Sequence, residues 1–349
     1  MKDILFFARD PGGASSLIDI IRQSQLIYDC DIYAKDFART IFNNNNIKYK
    51  EASNIQGLLS ILNNYHLIFT GTSHLEYSEH SIWEKSFELN VECIAYLDHW
   101  MGYERFYEVN KKKYIFPKTL IVTDNIAKDK IIDKFSAFHI EIKSLGNTFL
   151  QKLHNTKLTN IEIEEAKLDK NLNNYEEIIV YAAEVIKGEN LEEKYGFNEY
   201  SQFEKLYDYL KNRDKNIKLF FIPHPKHNFK DVEFELDSII QKDTKMDVEI
   251  SHKDNIVQLS DKVFGINTSV LVEALIYQIP SCSIQIGIKE KSDFELLNRG
   301  VIFNANTDEK LVLFINNTIE PFKYDINSIE NSLDDIMNFI ELKISNEKI

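Results

Sequence analysis

The chain is predicted to fold as two α/β domains, each a doubly wound parallel sheet of Rossmann-like type. Three observations carry this. Short apolar runs alternate with helical patterns over the first 150 residues. The rhythm breaks over 151–174, a stretch rich in Asn, Lys and Glu, and then resumes. With 349 residues, 44% of them hydrophobic, each half has enough apolar surface for its own core.

In the first half, strands are read at 4–8, 30–33, 47–49, 66–70, 93–97, 119–122 and 140–143, because each is a short apolar run bounded by polar or turn residues. Helices are read at 14–23, after a Gly-Gly turn, and at 34–42, 55–62, 78–89 and 126–135. In the second half, strands are read at 177–182, 217–222, 246–250, 263–264 and 281–285. The helices there are 200–212, 234–241, 256–259 and 269–277, with 296–303 leading into a helical 309–316. A last helix is read within 326–344 from the spacing of Ile329, Leu333, Ile336, Phe339 and Ile340. The expected domains are therefore 1–150 and 175–325, joined by 151–174 and followed by a C-terminal helix at 326–349. The two are expected to face each other across a cleft.

A net charge of −14 and a pI near 5.2 argue against broad attraction to nucleic acid or anionic lipid. The densest basic run, Lys111-Lys112-Lys113, reads as a solvated loop. Cys30, Cys93 and Cys282 form no CxxC pattern and suit a reducing compartment. The apolar N-terminus ends at Asp10, too soon for a signal peptide, and no run approaches the length of a membrane span. A cytoplasmic protein without a transmembrane segment is expected, with peripheral membrane contact left open.

Five patches carry chemistry. Asp10-Pro11-Gly12-Gly13 lies between the first strand and first helix, where two glycines permit close backbone approach to a ligand; the plain alternative is a turn capped by Asp10. Thr70-Gly71-Thr72-Ser73 follows the fourth strand, and Thr72 and Ser73 either contact a sugar or phosphate or cap a turn. Asp98, His99 and Trp100 come directly off the fifth strand. Asp98, or less readily His99, is placed to remove a proton from a hydroxyl, and Trp100 to stack on a sugar. His224, between Pro223 and Pro225 and followed by Lys226, is a rigid imidazole at a strand end, suited to a phosphate oxygen. Gly265-Ile266-Asn267-Thr268-Ser269 runs from a strand into a helix whose free N–H groups suit phosphate, with Glu273 one turn on. Strand ends of a parallel sheet are where ligands bind. Tyr181-Ala182-Ala183-Glu184 ends the first strand of the second half and gives a weaker signal. A dinucleotide GxGxxG, a P-loop, HExxH, a Gly-x-Ser-x-Gly elbow and a paired Asp-x-Asp are all missing from the sequence, and no metal is expected.

His224-Pro225 and Thr268-Ser269 resemble the His-Pro and Ser/Thr elements of GT-B glycosyltransferases that use cytidine-activated sugars, the bacterial sialyltransferases among them. Asp10-Pro11-Gly12-Gly13, Thr70-Gly71-Thr72-Ser73, Leu97-Asp98-His99-Trp100 and Leu145-Gly146-Asn147 resemble glycosyltransferase-like proteins of surface-polysaccharide synthesis. The likeness covers about 25 residues as motif. The sialyltransferases carry their base in an Asp/Glu-Gly motif, whereas His99 follows Asp98 here.

The resemblance implies a GT-B fold and a metal-independent transferase, with a nucleotide-sugar, CMP-linked as in the sialyltransferases, as co-substrate and no cofactor. The acceptor would be a glycan or lipid-linked saccharide. It implies Asp98, His99 and Asp10 as catalytic candidates. His224, Pro225, Lys226, Thr268, Ser269 and Glu273 would hold the nucleotide-sugar, and Gly12, Gly13, Thr72, Ser73 and Trp100 the acceptor. Two alternatives stand beside it. UDP-sugar 2-epimerases share the architecture, a His-Pro turn and a helix glutamate, and a non-catalytic GT-B-like binding protein would look the same.

Overall fold

The structure is a computed structural model that describes residues 2–73, 76–241, 245–252, 255–317 and 324–347. The chain divides into two compact units. One comprises residues 1–152 together with 325–349, the other 153–324.

The first unit is built on seven parallel strands: β1 (Lys2–Ala8), β2 (Cys30–Ala34), β3 (Lys50–Glu51), β4 (Tyr65–Thr70), β5 (Glu92–Leu97), β8 (Thr119–Val122) and β9 (Glu141–Ser144). Their order is β3-β2-β1-β4-β5-β8-β9, and a small antiparallel hairpin, β6 (Tyr107–Glu108) with β7 (Lys113–Tyr114), stands apart. The chain reverses direction of progress between β1 and β4, the switch point where such sheets bind ligands. The central strands are mostly apolar and, apart from His66, buried, as a helix-covered parallel sheet requires. The last helix, Ser332–Glu347, packs Ile336, Ile340 and Ile344 into the same core as Ile4, Phe6 and Phe69.

The second unit has six parallel strands, β10 (Glu177–Ala182), β11 (Ile217–Ile222), β12 (Met246–Ile250), β13 (Lys262–Gly265), β14 (Ser281–Ile284) and β15 (Phe303–Ala305), in the order β12-β11-β10-β13-β14-β15. Its switch point lies between β10 and β13. Two sheets of this order with helices between the strands make both units Rossmann-like, as predicted. At the strand starts, Lys262 is 3% exposed and is held by Glu177 of β10, whose other oxygen takes Arg213. Removing one partner of such a buried pair costs about 3–5 kcal/mol.

Three local readings differ from expectation. Residues 11–13 are the first turn of the helix Pro11–Gln25 rather than a Gly-Gly turn: proline at the first helical position is already set for helix. The helix predicted at 234–241 begins at Phe229, because the Asn228 side chain caps it. The segment 151–174 contains the helix Asn160–Asp169, started by a capping box of Thr159 and Glu162. Among the described residues, no helix is long and apolar enough to cross a membrane.

Candidate functional site

The second unit carries an ordered row of polar residues. Ala182, Ile222, Gly265 and Ser283 are matched in register across β10, β11, β13 and β14. Two residues past each stand Glu184, His224, Asn267 and Gln285. Neighbouring strands lie roughly 4.8 Å apart, so the row is on the order of a diphosphate group and its sugar in length.

His224 is fixed by a tight turn. Its backbone N–H donates to His227 Nδ1 at 3.1 Å, and the His227 N–H donates back to the His224 carbonyl at 2.8 Å. The Lys226 N–H donates to His224 Nδ1 at 3.2 Å. A neutral imidazole whose Nδ1 accepts carries its hydrogen on Nε2, so that atom is the donor His224 offers. Partial burial, then the neighbouring His227 and Lys226, push its pKa down and keep it neutral. Lys226 is exposed and paired with Glu189, and Pro225 is exposed.

Asn267 is polarised by a chain of hydrogen bonds that starts at an unambiguous acceptor. The Ser283 hydroxyl donates to the Ile266 carbonyl, so its oxygen must accept from Gln285 Nε2 at 3.0 Å. That orients the Gln285 amide, whose Nε2 also donates to Asn267 Oδ1 at 2.8 Å. Ser292 donates to the same oxygen at 3.0 Å. Oδ1 is thereby occupied, and Asn267 Nδ2 has no hydrogen-bond partner among the described residues. The Asn267 backbone N–H is held by Glu184 Oε1 at 3.0 Å. Burial pushes the Glu184 carboxyl up to about 7, with the charges of Glu199 and Glu189 adding to it against that hydrogen bond.

The hydroxyls expected to grip phosphate are placed differently. Thr268 spends its oxygen as the helix N-cap, accepting the Val270 N–H at 3.3 Å. Ser269 is exposed at the first helical position of Ser269–Ile276, whose N-terminal N–H groups remain suited to an anion. Glu273 is 2% exposed in the body of that helix, near enough to Tyr277 to help burial raise its hydroxyl pKa to about 12.

In the first unit, Asp98 follows β5 directly and is partly exposed. Its side chain has no ion-pair partner within 4 Å among the described residues. Burial raises its pKa, opposed by the charge of Arg105. Gly12 lies against it: a Cβ there would come 2.6 Å from Asp98 Oδ2. Gly13 likewise approaches Gly71, where a Cβ would meet the Gly71 Cα at 3.3 Å. The two glycines serve close packing of the first helix on the strand ends.

Arg105 ties the flanking loops, donating from Nη1 to Thr72 Oγ1 at 2.9 Å and from Nε to the Gly102 carbonyl at 2.9 Å. Thr72 and Ser73 are buried, Ser73 on the carboxyl of Glu79. Glu79 is itself 1% exposed, its Oε2 has no hydrogen-bond partner among the described residues, and burial raises its pKa to about 8.

Trp100 does not present a stacking face: it is 1% exposed and its indole N–H donates to Asp124 at 2.8 Å, which makes it core. Its neighbour His99 sits edge-on to it at 6.0 Å. Asp10 is paired with Arg9 at 2.8 Å. Glu184, Asn267 and Gln285 escaped sequence reading as a set because only the strand register aligns them.

No protein-family model matches the chain, and no curated protein matches it. Solved structures do. UDP-GlcNAc 2-epimerase from Neisseria meningitidis, bound to UDP-GlcNAc, is similar with a TM-score of 0.70 and 10% identity, covering 97% of this chain and 100% of its own. Anabaena HepE in complex with UDP gives 0.61 and 14%, covering 99% and 97%. A glycosyltransferase from Rickettsia africae gives 0.57 and 12%, covering 99% and 94%. Likeness at this identity shows the GT-B-type fold. It also corrects one expectation. UDP-GlcNAc 2-epimerases recur among the similar structures, with UDP or UDP-GlcNAc bound in several, and this overturns the expected CMP-linked glycosyl transfer.

Proposed function

We propose that the protein is an enzyme that epimerises a UDP-sugar at carbon 2, acting on the nucleotide-sugar alone. The observation that carries this reading is Asp98, a half-buried carboxyl at a strand end whose pKa burial raises and which has no ion-pair partner among the described residues. The end-to-end likeness to UDP-sugar 2-epimerases supports it.

Inverting a C–H centre requires a proton to leave one face and return to the other. The hydrogen on carbon 2 of a sugar is a poor acid, but it becomes removable as the carbon 1–oxygen bond to the diphosphate breaks. The C–H electron pair becomes a carbon 1–carbon 2 double bond and negative charge grows on the diphosphate, which adds back to carbon 1 as a proton returns to the other face of carbon 2. In this reading, fixed donors, Nε2–H of His224 and Nδ2–H of Asn267, stabilise that charge without having to reorganise. Asp98, whose pKa burial raises against the charge of Arg105, exchanges the carbon-bound proton. Glu273 is assigned to the ribose.

The test is incubation with UDP-GlcNAc in deuterium oxide, followed by proton NMR. The expected result is a 2-epimer carrying deuterium at carbon 2, lost in Asp98→Asn. Unchanged UDP-GlcNAc after prolonged incubation, with no melting-temperature rise on adding UDP, would sink the reading.

A further inference from the structure

His224 is only as well placed as the turn that holds it, and that turn leans on a buried carboxylate elsewhere in the second unit. Glu199 has a fully buried side chain and stands at the first position of the helix Glu199–Lys211, where the helix dipole favours negative charge. Its Oε1 lies 3.1 Å from His227 Nε2, and its Oε2 accepts the Lys187 N–H at 3.0 Å. His227 Nδ1 accepts from His224, so His227 carries its own hydrogen on Nε2 and donates it to Glu199. Each atom in the chain from Glu199 to the His224 backbone therefore has one consistent polarity. The Tyr181 hydroxyl adds a bond to the Glu199 carbonyl at 2.7 Å, fixing the start of that helix to β10.

We infer that Glu199 and His227 form a positioning pair that sets the backbone and the tautomer of His224 for phosphate binding. The pair joins the loop after β10, through Lys187, to the turn after β11. Neither residue is asked to touch substrate. Without His227 Nδ1, the His224 N–H loses its acceptor, the turn opens, and the Lys226 N–H no longer holds His224 Nδ1. The imidazole then samples both tautomers and both ring orientations, and its Nε2 donor is no longer preset.

The inference rests on the nucleotide reading above, and the experiment separates the two. UDP affinity is measured by calorimetry for wild type, His227→Phe, His227→Gln and Glu199→Gln. The His224 ring nitrogens are followed by nitrogen-15 NMR. His227→Phe keeps the ring volume and removes both hydrogen bonds. It is expected to weaken UDP binding about tenfold or more and to move the His224 nitrogens from a single Nε2–H form to a tautomer mixture. Glu199→Gln should do the same in smaller degree. In His227→Gln, the side-chain oxygen can accept from His224 and the amide can donate to Glu199, so affinity and spectrum should return most of the way. If wild type binds no UDP, the nucleotide reading falls and this inference with it. If wild type binds UDP but His227→Phe binds it equally, with an unchanged His224 spectrum, the positioning role alone is wrong. A folded His227→Gln that remains as weak as His227→Phe also overturns it.

Discussion

The strand ends of the two units prepare their chemistry in opposite ways. In the second unit, the imidazole of His224 and the amides of Asn267 and Gln285 are locked in polarity by neighbours. In the first, burial raises the pKa of the half-buried Asp98 and the buried Glu79, and neither has a cation within ion-pair distance among the described residues. Fixed donors suit a charge that must be met in place, whereas loosely held carboxyls suit a proton that must come and go. The contrast predicts that mutations in one unit will change binding and in the other turnover.

The sharpest way to break that division is Asp98→Asn. Deuterium exchange at carbon 2 should fall by roughly 10²–10⁴-fold, while UDP affinity by calorimetry stays within about twofold. Equal losses in both would erase the distinction. Asn267→Ala should do the reverse. It removes a donor and strips Gln285 and Ser292 of an acceptor, so UDP affinity should fall by about 1–3 kcal/mol, with a lower melting temperature as well.

Gly12→Ala sharpens the comparison within the first unit. Alanine is the better helix former, by roughly 0.5–1 kcal/mol, so the protein should melt within a few degrees of wild type. Its Cβ nevertheless displaces Asp98 Oδ2, and turnover should drop about tenfold, in line with the sensitivity of catalysis to small misplacements. A fully active variant would place the reacting carboxyl elsewhere.

The smallest effect on activity is expected at Glu79, where stability is the readout. Its folded-state pKa, pushed up to about 8, lies above the ordinary 4.5. The stability linked to its proton is therefore complete below about pH 4.5 and lost as pH rises through 8. Glu79→Gln, which does not titrate, should gain in melting temperature relative to wild type between pH 5 and pH 9. A constant difference across that range would mean the carboxyl is ionised throughout.

Most of the sheet architecture was legible because central strands of a parallel sheet are apolar on both faces and stand out as short runs. β3, expected at 47–49, lies at Lys50–Glu51, exposed edge residues with no apolar signature. Pro11-Gly12-Gly13 read as a turn because glycine is a poor helix former. The reason for the pair, the proximity of Asp98 and Gly71, exists only in three dimensions. The helix Asn160–Asp169 buries nothing, so periodicity could not reveal it, although Thr159 and Glu162 spell out its cap.

At the candidate site, His224 and Asp98 were visible as polar residues ending apolar runs. Thr268, a threonine immediately before a helix, is its cap, and its hydroxyl hydrogen is the part left for an anion. Asn267, one residue earlier, was passed over because its amide direction is decided by Ser283, Gln285 and Ser292 on later elements.

The placement of the final helix has a consequence for biosynthesis. The apolar face over Ile4 and Phe6 is completed by Ile336, Ile340 and Ile344, and the Ser332 hydroxyl accepts the Asn147 N–H at 2.8 Å. During translation, the earlier unit must therefore wait, its flank uncovered, until the later one has emerged from the ribosome. Truncation before Asp325 should leave a nascent product prone to chaperone capture rather than an independently folding half.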